Sequence, residues 1–178
     1  MSFAVSSSVQ LTVRALLRSA QVLATIPCTA GTVPVPMLAW PAHVTVVFPF
    51  APPVRIAALL PAIEDAVRSV RAFDFTLART AWFGSTVLWL APDPSEPFRA
   101  LTAAVERQFP EYPPYRGEFA EVVPHLTVGD TAPEEELRAA ESGLRPLLPI
   151  RARCAAVHLM AGTAAPDSWR TVAELPLG

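Results

Sequence analysis

The chain has three histidines, and two of them sit in the same frame. Pro41-Ala42-His43-Val44-Thr45-Val46 and Val123-Pro124-His125-Leu126-Thr127-Val128 each set a Thr two residues after a His on a short apolar run. Side chains alternate faces along a strand. His43 and Thr45 therefore point one way, as do His125 and Thr127, while Val44, Val46, Leu126 and Val128 point the other. Two imidazoles flanking a substrate make a general base and a general acid near neutral pH. Neighbouring hydroxyls can donate hydrogen bonds to phosphoryl oxygens and stabilise the charge of a pentacoordinate species. That set suits in-line attack at phosphorus. One His takes a proton from water or a ribose hydroxyl, the other gives one to the leaving oxygen, and no metal is required. The plainer alternative is a pair of strand histidines bonded to backbone, with Thr present for its β-propensity.

Other side chains near the motifs are candidates for contact with a base or a phosphate: Tyr115, Arg116, Phe48 and Trp40. Each is also an ordinary packing or loop residue. His158 has no Thr partner and reads as structural. Trp82, Trp89 and Trp169 read as core or strand-surface residues. A metal site is the rival use of two histidines, but it needs further ligands, and neither motif contains a carboxylate; Asp130 is the nearest. We expect no metal and no cofactor.

The elements that must position these residues can be read from periodicity. The His43 strand covers 42–48 and ends at the Pro-rich Phe48–Pro53. A helix follows over about 54–71, with Ile56, Leu59, Leu60, Ile63, Val67 and Val70 on one stripe. Phe73–Arg79 alternates in period two, Gly84-Ser85 turns the chain, and Thr86–Ala91 completes a hairpin. Asp93–Pro97 opens a helix to about Phe109. Phe119–Val122 reads as a short strand before the His125 strand. Thr131 caps a helix ending near Gly143. Ile150–Met160 reads as one strand and Ser168–Leu175 as the last. Residues 1–40 are ambiguous: Val9–Val22 fits a loose helix, Val9–Val13 a strand, and Thr32–Pro36 is extended.

Both halves run His-x-Thr strand, loop, helix, strand, turn, strand. Such a repeat predicts an α+β, bilobal fold in one domain spanning 1–178. Its lobe-level repeats fall at about 41–92 and 119–178, each an antiparallel sheet with helices on its outer face. A pseudo-two-fold axis would bring the two motif strands face to face across an active cleft.

Composition narrows the partners. The chain of 178 residues is 52% hydrophobic and 17% charged, which reads as globular. A net charge of −2 argues against gripping DNA or long nucleic acid by its phosphates. All 14 basic residues are Arg, so Schiff-base, lysyl-nucleotide and phosphate-loop lysine chemistry is excluded. Cys28 and Cys154 are in no metal or redox spacing and read as free thiols in a reducing cytoplasm. Prolines 27, 34, 36, 41 and 49 break the uncharged stretch before Arg55, which therefore does not read as a membrane span. A monomer is expected.

The paired motifs in a duplicated α+β lobe of this length resemble the two-histidine phosphoesterase superfamily. Within it, the chain looks most like the bacterial 2′-5′ RNA ligase and cyclic phosphodiesterase family. The resemblance covers about residues 41–178. It implies a bilobal fold and metal-independent hydrolysis of 2′,3′-cyclic phosphates or 2′-5′ phosphodiesters of nucleotides or RNA ends, with reverse 2′-5′ ligation as a side activity. His43 and His125 would be the catalytic pair, with Thr45 and Thr127 on the phosphate. The family places a strand in the sheet before the first motif, where this sequence reads less clearly. If that strand is displaced or missing, the chain becomes a non-catalytic module binding an RNA end or phosphorylated ligand.

Overall fold

The structure, a computed structural model, describes residues 8–14, 43–130, 132–162 and 169–178. Among these residues the strands are β1 (Ser8–Arg14), β2 (His43–Val47), β3 (Phe73–Phe83), β4 (Val87–Asp93), β5 (Leu126–Gly129), β6 (Ile150–Cys154), β7 (Ala156–Gly162) and β8 (Arg170–Pro176). The helices are α1 (Ile56–Arg68), α2 (Glu96–Gln108) and α3 (Glu134–Leu144). All strands join one sheet in the order β6-β3-β4-β5-β2-β1-β7-β8, and each neighbouring pair is antiparallel. The α+β class is as the sequence predicts.

The order divides into β6-β3-β4-β5 and β2-β1-β7-β8, which meet where β5 lies beside β2. A single register pair, Val44 with Leu126, makes that join. The two groups do not coincide with the two sequence repeats. The first takes β3 and β4 from the earlier repeat and β5 and β6 from the later; the second combines β1 and β2 with β7 and β8.

One face of the sheet is apolar and carries the helices. Val44 and Val46 of β2, Phe75 and Leu77 of β3, Leu90 of β4, Leu126 of β5 and Val157 and Leu159 of β7 are all buried there. Helix α1 adds Ile56, Ile63 and Val67, the stripe its sequence spacing predicts. It tolerates Pro61 inside its span. Helix α2 adds Phe98, Leu101 and Val105. Phe98 meets Phe73 and Phe75 edge to face at 4.9 and 5.0 Å, the arrangement that ring quadrupoles favour. Helices α1 and α2 pack on each other, with α1 also on β8 and α2 on β2, while α3 lies on β4.

Four sequence expectations change. Within the ambiguous N-terminal stretch, residues 8–14 are a strand, and β1 sits between β2 and β7. The Ile150–Met160 run is two strands, broken at Ala155; β6 pairs with β3 at one edge and β7 pairs with β1 in the other group. Residues 119–122 form no strand. Helix α3 begins at Glu134, with Glu134, Glu135 and Glu136 in its first turn, where the helix dipole favours acids. Thr131, expected as its cap, and the extended 32–36 segment lie outside the described residues.

Candidate active site

The two His-x-Thr segments are neighbours at the centre of the sheet. Val44 and Leu126 are register partners and both point into the helix-covered core, at 0% and 2% exposure. The residues flanking them must then turn to the opposite face. Antiparallel register sets His43 across from Thr127 and Thr45 across from His125. His43 and His125 are thus diagonal neighbours, a relation that spans about 7–8 Å. The segments lie side by side at the join between the two strand groups, rather than confronting each other from opposite sides of a gap.

Each strand is tied to a different helix. The buried Thr102 hydroxyl on α2 donates to the Val46 carbonyl at 3.0 Å, fixing β2 beneath His43 and Thr45. At the end of β5, a Cβ on Gly129 would lie 2.6 Å from Leu137 of α3, so glycine lets helix and strand close together.

His125 lies one residue before β5 and is half-buried. Its Nδ1–H donates to the Val123 carbonyl at 2.7 Å. A carbonyl can only accept, so this bond places the ring proton on Nδ1 and leaves Nε2 for other work. The ring stands edge-on to Phe83, at 5.0 Å and 88°, and to Trp89, at 5.8 Å and 64°. Phe83 and Trp89 stack on each other at 4.8 Å and 24°. Burial among these rings holds the His125 pKa below its ordinary value, and the Val123 hydrogen bond opposes that only in part. His125 is therefore neutral at pH 7, with an Nε2 lone pair.

Phe83 and Trp89 are the site neighbours that motif reading missed. The signal was present: Trp89 is the register partner of both Ala81 on β3 and Thr127 on β5, so the odd-numbered residues at the end of β3 share the motif face. The hairpin is anchored from behind by α3. Thr80 donates to the buried Glu141 carboxylate at 2.8 Å, and Arg138 lies 4.3 Å over the Trp82 ring. The Thr80 hydrogen bond holds the Glu141 pKa down against burial, helped by Trp82, Arg145 and Arg138.

Phe48 and Tyr115 are brought together at the exit of β2. The Tyr115 N–H donates to the Phe48 carbonyl at 2.7 Å. Tyr115 and Arg116 are both left-handed, at φ 50° and 58°, which costs non-glycine residues roughly 1–2 kcal/mol each. The Tyr115 ring packs edge-on to Phe119 at 5.4 Å, and burial raises its pKa. Arg116 is exposed beside them. His158, on β7, pairs in register with Thr12, which pairs with Thr45, so it falls on the motif face and is buried there. Trp40 lies outside the described residues. Burial pushes the Cys154 thiol up to about 12. A hollow of about 260 Å³ between α2 and residues 113–122 is lined by none of the motif residues.

Among the described residues no three His, Cys, Asp or Glu side chains are grouped to hold a metal ion, and no helix is long and apolar enough to cross a membrane. The paired His-x-Thr segments thus lie at the centre of one antiparallel sheet. The sequence profile of the 2′-5′ RNA ligase superfamily matches residues 20–165, and the chain belongs to that superfamily. No curated protein matches it at significant similarity. The fold is similar to that of LigT from E. coli, with a TM-score of 0.64 at 18% identity over 98% of this chain and 99% of the other. It is also similar to TT0787 of Thermus thermophilus, at 0.66 and 13% identity over 95% and 97%. Usb1 of Kluyveromyces marxianus gives 0.50 and 16% identity over 97% and 98%.

Proposed function

We propose that the protein is a metal-independent phosphoesterase that opens 2′,3′-cyclic phosphates, or cuts 2′-5′ phosphodiesters, at nucleotides or RNA ends in the cytoplasm. The observation that carries the reading is the Val44–Leu126 register pair, from which strand alternation puts both His-x-Thr segments on one face, each His across from the other motif's Thr. The roles divide by environment. His125 is tied through Nδ1 and kept neutral, so its Nε2 takes the proton from water as the water oxygen attacks phosphorus. His43, entering the step protonated, gives its proton to the ribose oxygen as the P–O bond breaks. Thr45 and Thr127 donate hydrogen bonds to the non-bridging oxygens. Phe48, Tyr115 and Arg116 flank the substrate at the exit of β2. Ligation to a 2′-5′ bond is the same ring opening with a ribose 5′-hydroxyl in place of water: its oxygen bonds to phosphorus, His125 takes its proton, the 3′ P–O bond breaks and His43 protonates the leaving 3′ oxygen. Solved complexes of the E. coli structural relative LigT contain 3′-AMP, ATP and phosphate, ligands of the class this site would meet.

The test is hydrolysis of cyclic mononucleotides in excess EDTA. Turnover that survives the chelator and disappears in His43→Ala and in His125→Ala is expected. Loss with EDTA would end the metal-free mechanism, and full activity in either variant would end the assignment. The alternative of a non-catalytic binding module rested on a displaced first strand; with β1 seated between β2 and β7 it loses that support.

A further inference from the structure

The motif face does not stop at β5. One step beyond the Leu90–Leu126 pair, Ala91 lies beside His125, and Arg79 on β3 is the register partner of Ala91. One step beyond Val44–Leu126, Thr45 lies on the other side of His125. Arg79, Ala91, His125 and Thr45 therefore form one row across neighbouring strands. The face is secure: Thr80 turns to Glu141 on α3, and Phe83, in phase with Arg79, touches His125. Arg79 is exposed and forms no ion pair among the described residues. Ala91 places only a methyl between them. With strands about 4.8 Å apart, the Arg79 backbone is about 10 Å from that of His125, the reach of a neighbouring nucleotide rather than of the reacting phosphate.

The same face continues onto β6. Arg151 pairs in register with Thr76, which pairs with Asp93; Arg151 is also exposed and outside any described ion pair. Asp74 is taken up by Arg153 at 3.1 Å. Two unengaged guanidinium groups remain there, with the Asp93 carboxylate as their one acidic neighbour on these strands. The core does not need either arginine. In a chain of net charge −2, cations lined up with His125 fit a short phosphate chain better than a long one.

We propose that the β3–β6 side of the motif face is a track for the single-stranded RNA behind the reacting end, with Arg79 on the nearest phosphate and Arg151 further out. This rests on the phosphoesterase reading above. It predicts a preference for short oligonucleotide ends over cyclic mononucleotides, set by KM.

The experiment compares a fluorescein-labelled RNA tetranucleotide ending in 2′,3′-cyclic phosphate with a cyclic mononucleotide. Arg79→Ala should raise KM for the tetranucleotide about 3–10-fold and Arg79→Ala/Arg151→Ala further, leaving kcat/KM for the mononucleotide unchanged. The slope of log affinity against log salt should fall by about 0.7 for each phosphate no longer neutralised. Arg107→Ala, on exposed α2 surface, should change neither substrate. Unchanged tetranucleotide kinetics, or equal losses on both substrates, would overturn the track. Fluorescence anisotropy in a His125→Ala background separates the two claims. Absence of turnover in the native chain sinks the phosphoesterase reading, whereas tetranucleotide binding that ignores the arginines sinks the track alone.

Discussion

The two His-x-Thr segments are nearly identical in sequence and are held in different ways. His43 begins a strand with a neighbour on each side, and that strand is pinned at the Val46 carbonyl by Thr102. His125 precedes a strand of four residues and is fixed chiefly through its own ring, by the Val123 carbonyl and by the Phe83–Trp89 stack. A duplicated motif therefore does not imply a duplicated setting. Burial among aromatics holds the His125 ring below its ordinary pKa, which suits it to the base role in the proposed step.

Variants can break this comparison at each of its supports. His43→Ala and His125→Ala should each lower turnover by about 10²–10⁴-fold, the usual range for a general acid or base, with melting temperature little changed. Trp89→Ala removes a large ring at 7% exposure from behind His125 and should destabilise the fold by about 3–5 kcal/mol in urea unfolding. Thr102→Val leaves the Val46 carbonyl without its side-chain partner, at about 1–3 kcal/mol, and should disturb β2 more than β5, as amide exchange would show. Phe83→Leu keeps the apolar bulk and loses the edge-on ring. About 0.5–1.5 kcal/mol of aromatic interaction goes with it, and the apparent pKa of His125 should move back toward its ordinary value in an NMR titration. An unmoved titration would show that the rings merely pack.

The pH dependence follows from the same groups. Because the His125 pKa is lowered in the folded state, the unfolded chain binds its proton first. Its contribution to stability is present above the ordinary imidazole value near 6.5 and is lost as pH falls through the folded value. Activity that needs the neutral ring declines over the same acid limb. The lowered Glu141 carboxyl behaves alike further down: its stabilisation is present above the ordinary carboxylate value and is lost as pH falls below it. Glu141→Gln should flatten that lower limb and leave the His125 limb in place, as stability measured against pH would show.

Much of this was legible in the residues. Period two put His and Thr on one face, and the α1 stripe and the β3–β4 hairpin follow from local patterns that need no distant partner. Two features were not. The break at Ala155 carries no Pro or Gly; it exists because β6 and β7 serve opposite parts of the sheet, which only long-range pairing decides. The aromatic wedge escaped for a related reason. Phe83 lies beside Gly84 at a hairpin tip, and Trp89 reads as core or strand surface; only the folded chain brings both rings against His125.

The most direct test of the central claim is a double-mutant cycle on cyclic mononucleotide hydrolysis, comparing His43→Ala, His125→Ala and the pair together. If the two rings serve one proton-in, proton-out step, the double variant will be about as slow as either single one. Losses that multiply would show independent contributions and contradict the paired mechanism.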